Sequence, residues 1–210
     1  MNIDMQDQID QFVSNLTRTD VTTQDLFKKD GKDVTLSNLY TLRDNLISYY
    51  YYYGTYPHGF DEDLYNAVNV LGSLTMINDY DNQYGIVKIS KLIESIYNKF
   101  DAYFNNTNTD LKYYAMSCHD SNITPIQVLL NLTSSSCVED MAKNGGKPGR
   151  NGCMIAPEYA TNVVHELSKG SDGYHYMRVL VNGKAVSFCP NGKIYKDNYC
   201  RYNDAKTLAY

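Results

Sequence analysis

A histidine and an aspartate stand side by side at His119 and Asp120, directly after the run Lys112–Cys118. The apolar part of this run, Tyr113 to Cys118, predicts a short buried strand, and Ser121 to Leu132 predicts the beginning of a helix. The N-terminus of a helix favours an anion because its backbone N–H groups and its dipole point there. The imidazole adds a hydrogen-bond donor, and the carboxyl group can pass a proton to a leaving oxygen. These residue types in this order predict a phosphate site with proton transfer.

The same pair also has a purely structural interpretation. His119 could cap the helix and Asp120 could be its N-cap, with no chemistry at either residue. The functional interpretation gains from the predicted strand, since ligands of open α/β sheets bind at the carboxyl ends of the strands. Position alone leaves both interpretations open.

The first 110 residues predict mainly helices, which have to support this site. An apolar stripe from Ile9 to Leu16 indicates one helix, and Thr35 or Ser37 could cap a second one. Acidic residues from Asp61 to Asp63 are suited to begin a third helix. The clearest pattern runs from Tyr84 to Phe104, where apolar residues follow the 3.6-residue period. We expect the run Tyr49–Tyr53 to pack one face of a helix and not to stack on a ligand.

The remainder of the chain predicts a mixture of elements. Thr161 to Lys169 alternates as a strand does, and Asn182-Gly183 joins the strands Tyr174–Val181 and Ala185–Phe188 in a hairpin. We expect Glu139–Cys153 to be a polar loop. The last twenty or so residues are loop-like, and a bond between Cys189 and Cys200 could hold them.

Composition excludes several classes of protein. Hydrophobic content of 43% and charged content of 20% are typical of a globular protein. The net charge of −5 argues against general nucleic-acid binding, which requires a basic face. No apolar run approaches the roughly 18 residues that a membrane span requires. Neither feature indicates the oligomeric state.

The five cysteines favour an oxidising environment. Four of them lie in loop-like surroundings and suit two disulfides, which leaves Cys118 as the unpaired thiol. No C-x-x-C spacing is present, which argues against a zinc site. The sequons at Asn15, Asn105, Asn122 and Asn131 support secretion weakly. The start Met1–Asp7 is polar and acidic and does not look like a signal peptide.

The C-terminal pattern as a whole resembles a known family. The run ending in His119-Asp120 and its helix are followed by Ala156-Pro157-Glu158-Tyr159-Ala160, by a strand ending in Glu166-Leu167, and by Tyr174-His175-Tyr176-Met177-Arg178-Val179-Leu180-Val181-Asn182-Gly183. From about Leu111 to Cys200 this order is similar to the C-terminal half of the histidine acid phosphatases, in the histidine phosphatase superfamily, branch 2. The helical first half is similar in kind to that family's cap.

The resemblance implies a fold and a reaction. The fold would be α/β: residues 1–110 would form a mainly helical cap region, and 111–210 the C-terminal part of a phosphoglycerate-mutase-like α/β sheet domain. Such enzymes hydrolyse phosphate monoesters through a phosphohistidine, without a metal or another cofactor. By position, Asp120 would be the general acid and His119 a ligand of the substrate phosphate, with arginines holding further phosphate oxygens. The resemblance also implies a secreted or lysosomal protein.

One essential part of that family's site is missing from the sequence. The attacking histidine lies in an Arg-His-Gly-x-Arg motif, which these 210 residues lack. His58 precedes Gly59, but acidic neighbours follow it, and His165 and His175 are expected to be structural. None of the five arginines (Arg18, Arg43, Arg150, Arg178 and Arg201) stands beside a histidine.

Two explanations follow from this absence, and truncation is the favoured one. The chain would then be the C-terminal part of a longer phosphatase, without its signal peptide and first strand. The alternative is a catalytically inactive paralogue that binds an anion. A disulfide-stapled surface module of unrelated function is a third possibility.

Overall fold

The computed structural model describes residues 39–107, 110–143, 152–189 and 194–207. The helix expected around Ile9–Leu16 and the cap expected at Thr35 or Ser37 lie outside the described residues. Along the chain, two compact units form: residues 1–79 with 134–156, and residues 80–133 with 157–210. The predicted division into a cap region, 1–110, and a sheet domain, 111–210, stays a prediction.

The first unit is built on helices α1 (Leu39–Tyr53), α2 (Glu62–Tyr80) and α5 (Ser135–Lys143). Helix α2 begins where the sequence predicts, because Oδ1 of Asp61 accepts the N–H of Leu64 at 2.8 Å. The apolar faces of α1 and α2 form a buried core, here called core 1, which consists of Leu39, Leu42, Leu46, Ile47, Phe60, Tyr65, Val68 and Leu71.

Helix α5 corrects the beginning of the loop expected from Glu139 to Cys153, because residues 139–143 are helical; residues 144–151 lie outside the described residues. Val138 and Met141 are buried three residues apart on one face of this helix, and Ala142 packs against core 1. Three apolar residues in a short polar stretch give too weak a period to be recognised in the sequence. A disulfide joins Cys137 of α5 to Cys153.

The second unit contains helices α3 (Gln83–Phe104), α4 (Asp120–Leu129) and α6 (Tyr202–Lys206), a 3₁₀ turn (Lys196–Asn198), and a sheet. Strands β1 (Val163–Lys169), β2 (His175–Val181), β3 (Lys184–Val186) and β4 (Cys200–Arg201) pair antiparallel, with β2 contacting all three others. Asn182 and Gly183 both have positive φ, as the two-residue turn of a tight hairpin requires, so the predicted hairpin is confirmed.

One face of this sheet packs on α3, α4 and α6 to form a second core, here called core 2. Its buried members are Ile89, Ile93, Tyr97, Ile126, Leu130, Met177, Val179, Phe188, Cys200, Tyr202 and Ala205. The expected bond between Cys189 and Cys200 forms, while Cys118 is an exposed free thiol. The described residues contain six helices and a small sheet, which confirms the mixed α/β class.

The predicted strand from Tyr113 to Cys118 is wrong. The segment has no regular secondary structure, no strand of the described residues pairs with it, and Tyr113 is 82% exposed. A buried strand of a parallel sheet needs neighbours on both edges and a covered face. The sheet observed here is antiparallel and lies elsewhere in the unit, so these conditions are not met.

The expectation for the run Tyr49–Tyr53 is also wrong for most of its members. The apolar face of α1 ends with Leu46 and Ile47, and Tyr51, Tyr52 and Tyr53 are exposed. Consecutive residues of a helix point in different directions, so five tyrosines in a row cannot all reach one core.

Candidate active site at the start of helix α4

The helix that carries the candidate site is anchored in core 2. Ile126 and Leu130, at its C-terminal end, pack with Ile89 and Ile93 of α3. Burying one apolar side chain of this size stabilises the folded state by about 1.5–3 kcal/mol. The opposite, N-terminal end of the helix is therefore held in place although its own residues lie near the surface.

The segment before the site, Lys112–Cys118, is tied to helix α3 by two cation–π contacts. Nζ of Lys99 lies 4.1 Å from the ring centroid of Tyr114, and Nζ of Lys112 lies 5.1 Å from that of Tyr103. Lys99 and Tyr103 belong to α3, whereas Tyr114 and Lys112 belong to the segment. The helix and the segment therefore each contribute one cation and one ring. Exposed contacts of this kind stabilise by about 0.5–1 kcal/mol each. They position the segment in the absence of a strand ladder.

His119 is the N-cap residue of α4. Its backbone is extended, with φ −97° and ψ 167°, and its carbonyl oxygen accepts the N–H groups of Asn122 at 3.0 Å and Ile123 at 3.2 Å. In return, Oδ1 of Asn122 accepts the N–H of His119 at 3.1 Å. These bonds fix the backbone of His119 while its side chain is exposed. The N-cap is therefore His119, and the structural interpretation that placed Asp120 there is corrected.

Asp120 is the first helical residue and is half-buried. Its Oδ1 accepts the N–H of Ser121 at 2.7 Å, so the carboxyl group is oriented by the beginning of its own helix. The structure thus brings His119 and Asp120 together at a helix N-terminus, as the sequence predicts. What the sequence interpretation missed is Asn122. An amide side chain three residues after an N-cap is the signal that could have found it.

Two of the arginines lie on the sheet face that points away from core 2. Nε of Arg178 donates to Oε2 of Glu166 at 2.9 Å, and its guanidinium lies 4.8 Å from the ring centroid of Tyr199. The guanidinium of Arg201 lies 4.0 Å from the ring centroid of Tyr174. Both guanidinium groups therefore contact residues in or next to the sheet that carries them. Arg18 and Arg150 lie outside the described residues.

Arg43, in the first unit, is buried inside the protein. Its Nε donates to Oδ1 of Asn69 at 2.8 Å, and its Nη2 donates to the carbonyl oxygen of Ala156 at 2.7 Å. The guanidinium thereby links α1, α2 and the loop after Cys153. This arginine has a structural role within its unit.

The histidines other than His119 occupy three different environments. His175 stacks on Phe104, with ring centroids 3.8 Å apart. His165 lies between Val163 and Leu167 on the side of β1 that packs on core 2, and burial lowers its pKa to about 4. His58 is exposed in the turn before α2. Within the described ranges, no group of three or more His, Cys, Asp or Glu side chains is arranged to hold a metal ion.

The family of the chain follows from a comparison with known proteins. The family model of the histidine phosphatase superfamily (branch 2) matches residues 4–182. The chain therefore belongs to this superfamily, and the match includes the helical region that the sequence related to it only in kind. Among curated proteins, no match was found. In the part of the chain that the structure describes, no helix has the length and apolarity needed to cross a membrane.

Proposed function

We propose that this chain is the proton-donor part of an acid phosphatase that hydrolyses phosphate monoesters through a phosphohistidine. The observation that carries the proposal is the placement of His119 and Asp120 as the N-cap and first residue of α4, in a member of the histidine phosphatase superfamily. An N-cap side chain is well placed to contact an anion held at the helix N-terminus.

The two residues take different roles in this reaction. His119 binds an oxygen of the substrate phosphate, since its exposed imidazole can donate a hydrogen bond. Asp120 protonates the ester oxygen as the P–O bond breaks, because its carboxyl group is oriented at the same helix end. Asn122 positions His119 by accepting its backbone N–H.

The attacking histidine has to come from an Arg-His-Gly-x-Arg segment, which residues 1–210 do not contain. We therefore infer that the chain alone does not turn over phosphate esters and acts as part of a longer phosphatase. In that protein residues 1–110 form the helical cap and 111–210 belong to the α/β domain. The two disulfides, together with the exposed sequon residues Asn105 and Asn131, support a secreted or lysosomal glycoprotein.

A second candidate function is anion binding without catalysis. The observation that favours it is that Arg178 and Arg201, the described arginines of the same unit, are engaged with Glu166 and with tyrosines. The imidazole of His119 and the helix N-terminus could still hold phosphate, although they would not cleave an ester.

The test that separates these functions begins with the reading frame upstream of Met1. If that frame encodes Arg-His-Gly-x-Arg, the protein with this segment should hydrolyse aryl phosphates at acid pH, and the 210-residue chain should not. If the frame lacks the motif and the chain binds inorganic phosphate in calorimetry, with weaker binding in His119→Ala, the anion-binding function is correct. Absence of both turnover and phosphate binding would overturn both candidates.

A further inference from the structure

The tyrosine cluster at the end of helix α1 has an inner layer that is part of the fold. The cluster consists of Tyr49–Tyr53, Tyr56 and Tyr65. The ring of Tyr50 stacks on that of Tyr56, with centroids 5.1 Å apart and an interplanar angle of 19°, and lies 5.4 Å from that of Tyr65. Tyr65 is a buried member of core 1, and Tyr56 packs against that core. The inner layer therefore gives the cluster a rigid base.

The outer layer presents rings to the solvent. Tyr52 is 81% exposed and Tyr53 is 60% exposed, and their ring centroids lie 4.6 Å apart in an edge-to-face arrangement. Tyr49 supports Tyr53 at 4.5 Å. Single exposed hydrophobic residues are ordinary on a protein surface, whereas contiguous exposed apolar surface is typical of interaction sites.

The segment of the chain that carries the tyrosine cluster is acidic. From residue 39 to residue 79 the chain contains no lysine, and its one arginine, Arg43, is 1% exposed. Three acidic residues, Asp61, Glu62 and Asp63, lie in the chain between the cluster members Tyr56 and Tyr65. Burial raises the pKa of Tyr56 above its ordinary value, and Tyr50 and the negative charge of Glu62 raise it further.

We propose that the tyrosine cluster is a docking surface for a basic peptide segment of a partner protein. Arginine or lysine side chains of the segment lie over the rings of Tyr52 and Tyr53, whose faces carry negative electrostatic potential. Asp61, Glu62 and Asp63, which are exposed, supply the opposite charge. This surface belongs to the first unit, and its function is separate from the chemistry proposed for His119 and Asp120.

The experiment measures binding of a short fluorescein-labelled peptide of alternating Arg and Gly to the 210-residue chain by fluorescence anisotropy. A peptide with Glu in place of Arg and an uncharged peptide of alternating Pro and Gly serve as comparison probes. The basic peptide should bind more tightly than both, and its affinity should fall between about 50 mM and about 500 mM NaCl because the charges are exposed.

Two pairs of variants test the residues. Tyr52→Ser should weaken binding about two- to fivefold, which is the effect of one exposed cation–π contact, and Tyr113→Ser should leave it unchanged. Tyr113 is the matched control because it is 82% exposed and belongs to the second unit. Glu62→Gln should weaken binding, whereas Glu94→Gln, which removes the same charge from an exposed site on α3, should not.

The proposal is overturned if the basic peptide binds no more tightly than the acidic or the Pro-Gly peptide. It is also overturned if each variant of the cluster matches its control. If Tyr52→Ser fails to fold, the proposal is tested by comparing peptide binding by Glu62→Gln with that by Glu94→Gln. Both substitutions are at exposed positions.

Discussion

The environment of His165 predicts that acid weakens the fold of the second unit. This histidine shares the core-facing side of β1 with Val163 and Leu167, and its ring centroid lies 6.3 Å from that of Phe100. Burial lowers its pKa from the ordinary value of 6.5 to about 4, and no charged group contributes to that shift. The folded state therefore favours the neutral form of the His165 imidazole.

The sign of the effect follows from proton binding. Between pH 6.5 and pH 4 the unfolded chain holds a proton on His165 that the folded chain lacks, so the free energy of unfolding falls as the pH falls. Going from about pH 7.5 to about pH 4.5 costs at most about 2.5 kcal/mol for a shift of this size. Because His165 as a whole residue is half-buried and not fully buried, we expect about 2 kcal/mol.

The assay is urea unfolding of the wild type and of His165→Leu at both pH values. The wild type should lose about 2 kcal/mol more than the variant, which has no group to protonate at this position. His58→Gln is the control, since it removes an exposed histidine, and it should behave as the wild type does. The same pH dependence in the wild type and in His165→Leu would refute the reasoning.

Three further predictions concern other parts of the chain. Arg43→Met should destabilise the protein by about 2–4 kcal/mol in urea unfolding, because it removes the donor to a buried carbonyl; a loss below about 1 kcal/mol would contradict this. Asn122→Ala should cost about 1 kcal/mol in the same assay, whereas Asn122→Asp keeps the acceptor for the N–H of His119; equal losses would argue against the cap. Native alkylation with iodoacetamide, read by mass spectrometry, should modify Cys118 alone, and modification of any other cysteine would contradict the two disulfides.

The sequence predicts well those elements whose signals are local. The period of α3 is sustained over six turns, Asp61 supplies a side-chain cap for α2, and Asn182-Gly183 specifies its turn through the backbone freedom of these two residues. The pairing of Cys189 with Cys200 also follows from short separation in the chain. Each of these signals acts over a few residues and needs no knowledge of distant partners.

The sequence predicts poorly those features that depend on distant neighbours. Whether Tyr113–Cys118 becomes a buried strand depends on other strands, and none in the described part of the chain pairs with it. The exposure of Tyr52 depends on where the face of α1 meets core 1. For the candidate site, the sequence predicts the position of His119 and Asp120 at a helix start. It does not indicate that Arg178 and Arg201 are engaged on the sheet.

The central claim is that Asp120 donates the proton to the leaving oxygen, and its most direct test is the leaving-group dependence of Asp120→Asn. The protein assayed is the phosphatase that contains residues 1–210 together with an Arg-His-Gly segment. A poor leaving group such as glycerol needs a proton from the enzyme, whereas 2,4-dinitrophenolate leaves without one.

The measurement is kcat/KM, which reports cleavage of the ester bond, for glycerol phosphate and for 2,4-dinitrophenyl phosphate in the wild type and in Asp120→Asn. We predict that the variant loses about 10²–10⁴-fold with glycerol phosphate and far less with the dinitrophenyl ester. Unchanged turnover of both esters, or an equal loss with both, would contradict the assignment of Asp120 as the general acid.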